Sequence, residues 1–315
     1  MSAHRPPGSA TLFVGLGKMG APMARLYAAT RPTFVDDADE NAADQLASSS
    51  QAQRVASLDP VPPNVDTVIL MLPHSGIVES VLLGTDGSDG VLDQLPERAL
   101  VIDMGSSRPA STRALAARAA KLGVDYVDAP VSGGVAKAVD GTLSIMMGGP
   151  ADALDRAEEH VAPMGSRILR LGPSGAGHAA KVLNNWLSAS NVAAAAEVLS
   201  VATQAGIDPA TMLAALNAST GRSQATEVKY PAHVLTGAYQ SGFAFDLMLK
   251  DLRIGDELAR EHGSYIPVLD TVLRSVERAR ALLGAGDPDH TEVAKFYQHK
   301  NDVSFHTTEP LKEAM

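Results

Sequence analysis

The apolar positions of this chain fall into two textures. Between residues 11 and about 172, short apolar runs alternate with Ala-rich or amphipathic stretches. The runs lie at 11–14 (TLFV), 33–35 (TFV), 65–72 (VDTVILML), 99–104 (ALVIDM), 124–128, 143–147 (LSIMM) and 167–171. Runs of this length bounded by turn residues read as strands, and VDTVILML, apolar almost throughout, as a strand buried on both faces. Helical patterns follow the first two runs, one reaching Ala29 and one over about 40–48. Strand alternating with helix predicts right-handed βαβ units and a parallel sheet covered on both faces.

Past Gly172 the pattern becomes helical. Residues 177–205 form one long Ala-rich segment, apolar on every side and therefore expected to be buried. Gly206 suits the position just past its end, and Asp208-Pro209 opens the next helix with an N-cap and an N1 proline. Further helices are expected at 209–217, 247–262 and 266–283, with a short one from about His290. The expected organisation is a polar arm (1–10), an α/β domain (11–172), an all-helical domain (173–302) and a polar tail (303–315). The long helix lies at the junction.

Composition narrows the function classes. The chain has 315 residues, long enough for two domains, and its 45% hydrophobic and 20% charged content is that of a globular protein. A formal charge of −10 argues against nucleic acid or an anionic membrane as partner, because both require a basic footprint. With no cysteine, disulfides, thiolate zinc sites and a catalytic thiol are excluded. The start, MSAHRPPGSA, lacks the apolar core of a signal peptide, and no apolar run is long enough to span a bilayer. The expected location is the cytoplasm.

Chemistry concentrates at a few places. Gly15-Leu16-Gly17-Lys18-Met19-Gly20 is a GxGxxG between the first strand and first helix. There, Gly15 permits the tight turn, Gly17 lets a pyrophosphate approach the backbone, and Gly20 allows close helix–strand packing. Asp36 ends the second strand about 20 residues past Gly15, where a carboxylate accepts ribose hydroxyls and repels a 2′-phosphate. This favours NAD, with NADP possible, although the adjacent Asp37 complicates the choice. Leu72-Pro73 and Gly105-Ser106 end the following strands, placing Leu72, Pro73 and Ser106 at the ligand edge of such a sheet.

Lys181 stands near the start of the long apolar helix, with Asn185 four residues on and on the same face. Partial desolvation lowers an ammonium's pKa toward neutrality, as a general acid or base near pH 7 requires. A lysine snorkelling over apolar surface is the plainer alternative. Lys250-Asp251 reads equally well as a solvated pair on an amphipathic helix. The histidines are scattered without metal-site spacing, so no metal is expected. Asp128-Ala129-Pro130-Val131-Ser132-Gly133-Gly134 (DAPVSGG) reads as a strand entering either a tight turn or a loop that bares amides to an anion.

Four stretches in this order, FVGLGKMGAPMA, DAPVSGGVAKAVDGTLSIMMGG, GHAAKVLNNWL and FDLMLKDLRIG, resemble the β-hydroxyacid dehydrogenases. That family includes 3-hydroxyisobutyrate dehydrogenase and tartronate semialdehyde reductase and is related to 6-phosphogluconate dehydrogenase. The resemblance runs from about Thr11 to about Gln298. It implies a Rossmann domain and a helical domain joined by a long helix, a dimer or tetramer, and reversible NAD-dependent oxidation of a small 3-hydroxy acid. It further implies that Ser132, Gly133 and Gly134 hold the substrate carboxylate and that Lys181 is the catalytic acid/base. Asn185 would orient the substrate, and Lys250 would lie near nicotinamide and substrate. Where relatives often carry Ser-Thr or Ser-Ser, this chain has Gly105-Ser106, and Gln224 replaces a frequent aromatic, which suits a more hydroxylated acid. The alternatives are an imine reductase, a decarboxylating phosphogluconate-type enzyme, or a non-catalytic NAD sensor.

Overall fold

A computed structural model describes residues 8–85 and 89–306. The outer parts of the expected arm (1–7) and tail (307–315) lie outside the described residues. Within the described stretch, Ala10 already belongs to the first strand and Phe305 is fully buried. Contacts divide the chain into two compact units, Met1–Lys181 and Val182–Met315.

The first unit is a Rossmann-type α/β unit. Its elements are β1 (Ala10–Val14), α1 (Gly20–Ala28), β2 (Thr33–Asp36), α2 (Glu40–Ser49), β3 (Gln53–Arg54), β4 (Val65–Leu70) and α3 (Ser75–Leu83). They continue with β5 (Leu100–Asp103), α4 (Pro109–Lys121), β6 (Asp125–Asp128), β7 (Val131–Ser132), α5 (Gly134–Val139), β8 (Leu143–Gly148), α6 (Ala151–Val161) and β9 (Gly165–Gly172). The strand order is β3-β2-β1-β4-β5-β6-β8-β7, with β9 beside β8. Alternation along β1 sends Phe13 into one buried cluster, with Met23, Tyr27 and Ile102, and Leu12 and Val14 into another, with Val68, Leu82 and Leu115. The sheet is thus covered on both faces, as its apolar runs require.

The expected all-parallel sheet is corrected at one edge: β8 runs antiparallel to β6 and β7, and parallel to β9. A parallel crossover takes about a dozen residues or more, usually with a full helix. The link from Ser132 to Leu143 holds only the single-turn-scale α5, so the chain returns antiparallel. The two-residue strands β3 and β7 carry too little pattern to be read from sequence.

The second unit is helical. It takes most of α7 (Ala176–Gln204), then α8 (Pro209–Asn217), a π-helix (Ala225–Val234), α9 (Phe245–Glu261), α10 (Pro267–Leu283) and α11 (Val293–Asn301). The capping expectation at α8 holds, since the Asp208 side chain accepts from the Thr211 amide. The π-helix was not foreseen. It contains Pro231, which lacks an N–H and so cannot complete an ordinary helical ladder. Tyr230, fully buried, ties this segment to α7 through its hydroxyl on the Val192 carbonyl at 2.7 Å.

The expectation that α7 is buried all round is not met. Val192, Ala196 and Leu199 are fully buried, but Leu187 is 64% and Val201 62% exposed, with Leu183, Ala194 and Val198 exposed between and beside them. Spaced by four, seven, four and three, these residues lie along one uncovered, largely apolar stripe that Asn191 interrupts. Composition reports how apolar a helix is; what covers each face is a tertiary matter.

Asp289 is the polar hinge of the second unit's C-terminal part. Its carboxylate accepts from Thr291 N at 2.9 Å and Thr291 Oγ1 at 2.6 Å, and from Ser241 Oγ at 2.8 Å, so it both caps the His290 turn and holds the 241–243 loop. Burial alone would raise its pKa, but hydrogen bonds involving His290, Thr291 and Ser241 outweigh this and hold it well below the usual carboxylate range. A depressed folded pKa contributes stability above the unfolded value, near 4, and loses it as pH falls. Asp289→Ala is expected to lower unfolding free energy by about 2 kcal/mol at neutral pH. In urea titrations that gap should shrink as pH is lowered from roughly 5 to 2; a gap independent of pH would count against the assignment.

Candidate active site

The glycine loop shows why three glycines are spaced as they are. A Cβ on Gly20 would stand 1.9 Å from the Gly15 carbonyl oxygen, and one on Gly15, whose φ is +98°, would stand 2.4 Å from the Met71 carbonyl oxygen. Both positions are closed to any larger residue. A Cβ on Gly17 would meet nothing within 4 Å, and Gly17 and Lys18 are exposed while Leu16 is buried. The loop is therefore packed beneath and open above Gly17, at the start of α1, and Met19 occupies the N-cap position. That is the fit a pyrophosphate requires: approachable backbone at a helix N-terminus.

At the end of β2, the two aspartates divide their roles. Asp36 contributes its backbone carbonyl to Gly15 N at 2.9 Å, while its half-buried carboxyl has a raised pKa through burial and the Asp37 charge, opposed by Arg54. The side chain on the glycine loop belongs to Asp37: Oδ2 accepts from Leu16 N at 2.5 Å, and Oδ1 accepts from Asp39 N at 2.8 Å. Asp36, singled out by its distance from Gly15, is thus joined by a neighbour that touches the loop. Asp37 lies just beyond the end of β2, and which of two adjacent carboxylates meets the loop is set by the backbone there, which spacing alone does not resolve.

The next strand ends lie beside this loop. Leu72 and Ser106 are half-buried and Pro73 is exposed. A Cβ on Gly105 would fall 2.5 Å from the Leu72 carbonyl oxygen, so the loops after β4 and β5 are in contact and leave no room for a larger residue at 105. Asp103, fully buried at the end of β5, fastens this turn by accepting from Gly105 N (3.0 Å), Ser107 Oγ (3.0 Å) and Tyr126 OH (3.1 Å).

After β6 the chain passes through β7 to the Ser132-Gly133-Gly134 loop. Ser132 is half-buried and Gly133 and Gly134 are exposed. Gly133 and Gly134 take successive positive φ values, +143° and +75°, a backbone path that side chains rarely follow, and it leads directly into α5. The two readings of this stretch are compatible: it is a tight turn, and it is an exposed backbone loop with a serine at its base.

Lys181, half-buried, lies on α7 with Asn185 one turn further on. In the second unit, Asn185 Nδ2 donates to Asp251 Oδ2 at 2.6 Å, and Lys250 Nζ lies 3.2 Å from Asp251 Oδ1. Asp251 is buried and Lys250 half-buried, so Lys250-Asp251 is not a solvated pair. Asp251 orients both Asn185 and Lys250, a role that sequence reasoning missed because charge patterning on one helix does not reveal a partner on another. His178 is fully buried, with its ring bonded to Thr112 Oγ1 at 2.7 Å. Among the described residues, no group of three or more His, Asp and Glu is arranged to hold a metal.

These contacts separate two kinds of glycine. Gly20→Ala is expected to lower the melting temperature by several degrees, because backbone must move to admit the methyl group. Gly17→Ala should leave thermal unfolding nearly unchanged while weakening dinucleotide binding, read by titration of reduced-cofactor fluorescence. Equal loss of stability in both variants would contradict this division.

Comparison with known proteins covers almost the whole chain. Residues 11–172 match a family model described as the NAD binding domain of 6-phosphogluconate dehydrogenase. Residues 175–297 match one described as NAD-binding of NADP-dependent 3-hydroxyisobutyrate dehydrogenase. The chain is 36% identical over 298 residues to the 2-(hydroxymethyl)glutarate dehydrogenase of Eubacterium barkeri, covering 93% of this chain and 96% of that protein. It is also 36% identical over 292 residues to the NAD-dependent L-serine dehydrogenase of Pseudomonas aeruginosa, covering 90% and 96% respectively. Among solved structures, the 3-hydroxyisobutyrate dehydrogenase of Mycobacterium tuberculosis with L-serine superposes with a TM-score of 0.82 at 29% identity, covering 91% of this chain and 98% of that one. The chain belongs to the β-hydroxyacid dehydrogenase family and is an NAD(P)-dependent dehydrogenase acting on a CH–OH group.

Proposed function

We propose that this enzyme interconverts a small 3-hydroxy carboxylic acid and its aldehyde or ketone, with Lys181 as general acid/base. The observation that carries the reading is the α7 face on which Lys181 precedes Asn185 by one turn, with Asn185 held by the buried Asp251. A structural helix has no need of a lysine and an oriented amide stacked on one face. A dinucleotide held by the Gly15–Gly20 loop would supply the hydride chemistry at the carbinol carbon. In oxidation, neutral Lys181 Nζ takes the proton from the 3-hydroxyl; in reduction, its ammonium gives a proton to the developing alkoxide oxygen. Ser132 and the backbone of Gly133-Gly134 hold the carboxylate, and Asn185 and Lys250 orient the remainder of the substrate. Fixing both ends of so small a molecule converts binding energy into orientation.

Residues 15–20, Leu72, Pro73 and Ser106 hold the cofactor in this reading, and Asp36 and Asp37 at the end of β2 select NAD over NADP. Asp37 is given the larger part, because its carboxylate is the one bonded to the glycine loop. The relatives act on a hydroxymethyl dicarboxylate and on serine, by name, so the shared element is a hydroxyl on the carbon β to a carboxylate. Gln224, exposed at the start of the π-helix, favours a more hydroxylated acid. The apolar stripe on α7 is assigned to a second copy of the chain, in a homodimer or homotetramer, and the enzyme to the cytoplasm.

The test is a panel of hydroxyisobutyrate, 3-hydroxypropionate, serine, threonate and glycerate with NAD and NADP in parallel. Lys181→Ala is expected to lower kcat by about 10²- to 10⁴-fold on the best substrate while retaining cofactor binding. Full turnover in that variant would remove Lys181 from the mechanism. Asp37→Asn should move preference toward NADP by about tenfold or more, by relieving like-charge repulsion of the 2′-phosphate. An unchanged ratio, with a shift in Asp36→Asn instead, would return the role to Asp36. Light scattering on the eluted protein should give a dimer or tetramer, and Leu187→Glu should lower that mass.

A further inference from the structure

Asp128 has no part in the reaction as described, yet it is fully buried at the end of β6, directly before the segment leading to Ser132. Its Oδ1 accepts from Gly175 N at 2.7 Å and its Oδ2 accepts from His178 N at 2.9 Å. Helix α7 begins at Ala176, and the Gly175 carbonyl accepts the first helical bond, from Ala179 N. Gly175 is therefore the N-cap residue and His178 the third residue of the helix. A capping box satisfies these two amides with side chains of the helix itself. Glycine has none to offer, and here one carboxylate from a distant strand serves both, at the end of the helix where the macrodipole favours a negative charge.

The approach is close as well as polar. A Cβ on Gly177 would lie 2.3 Å from the Met146 carbonyl oxygen and 2.9 Å from both Asp128 O and Oδ2. A Cβ on Gly148 would lie 2.8 Å from Gly177 N and 2.9 Å from Asp128 Oδ1. Neither glycine is replaceable without moving α7 away from β6 and β8. The His178 ring adds a third fastening, on Thr112 Oγ1 of α4, with Nε2 at 3.7 Å from Asp103 Oδ2. Lys181 follows His178 by three residues on the same rigid helix, and Ser132 follows Asp128 by four.

We propose that Asp128 is a positioning residue of this dehydrogenase: its carboxylate locks the first turn of α7 onto the end of β6, holding Lys181 in register with the Ser132-Gly133-Gly134 loop. This rests on the role given to Lys181 above. Asp128→Asn keeps the shape but turns an NH₂ toward one of the two amides, so the helix start must shift. A displacement of about 1 Å at a reacting group costs about 10²-fold in rate. The expected signature is a kcat lowered by about 10²-fold, with the cofactor Kd and the substrate KM changed by less than about threefold.

The decisive measurement is a double-mutant cycle. If Asp128 acts through Lys181, then Asp128→Asn in the Lys181→Ala background should leave the residual turnover unchanged. General damage to the fold would lower both backgrounds alike and overturn the proposal, as would an Asp128→Asn enzyme with kcat within twofold of the parent. Should that variant fail to fold, Gly177→Ala decides: its methyl would stand 2.3 Å from the Met146 carbonyl oxygen and 2.9 Å from Asp128 Oδ2, so it lifts the first turn of α7 off that carboxylate. A kcat lowered several-fold at constant cofactor Kd supports the lock, and an unchanged kcat overturns it. Full activity of Lys181→Ala alone would instead reject the assigned acid/base, a result readily told apart from failure of the lock.

Discussion

Two buried carboxylates, side by side, govern the ligand-facing end of the first unit. Asp103 and Asp128 are register partners in the parallel pair β5–β6, and both are wholly removed from solvent. A buried carboxylate is tolerated only when its oxygens are satisfied, since an uncompensated one costs several kcal/mol. Asp103 is satisfied by the turn that follows its own strand and by Tyr126; Asp128 by the start of α7. The His178 ring lies between them, 3.7 Å from one and 4.0 Å from the other. Burial raises the pKa of Asp128, while the His178 charge and the Gly175 and His178 amides oppose that rise. The turn after β5 and the first turn of α7 are thus the segments these carboxylates require to be ordered.

The same constraint accounts for where the chain divides. A fold boundary drawn on sequence texture falls where strands give way to helices, yet the first compact unit runs on to Lys181. The opening turns of α7 are bonded to β6 and wedged against β8 through Gly148 and Gly177, so they move with the sheet. The glycine pair 148–149 has an explanation of the same kind. Gly148 admits a helix start, and Gly149, with φ +159° and a hypothetical Cβ 3.1 Å from Val127, lets the chain leave β8 close to β6.

Much of the fold was legible because it is local. Apolar runs located seven of the strands to within two residues at most boundaries, and the Asp208-Pro209 start of α8 was readable from its two residues alone. The reversed direction of β8 was not, since periodicity reveals that a segment is a strand but not which way it pairs. Nor was the π-helix at Ala225–Val234, whose register has no side-chain pattern as distinct as that of an α-helix. In the candidate site, Lys181, Asn185 and the glycine loops stood out by type and spacing. Asp251 and Asp37 did not, because each acts on a group far away in sequence.

The sequence by itself determined the chemistry on offer: a GxGxxG between strand and helix, a serine before two glycines, and a lysine one helical turn before an asparagine. These are short-range facts, set by the backbone demands of glycine and by the 3.6-residue turn. Only the tertiary structure decided which aspartate closes on the glycine loop, which carboxylate caps α7, and which face of that apolar helix is left uncovered. Those outcomes depend on hydrogen bonds and packing between segments brought together by the sheet, and no pattern within any one segment encodes its partner.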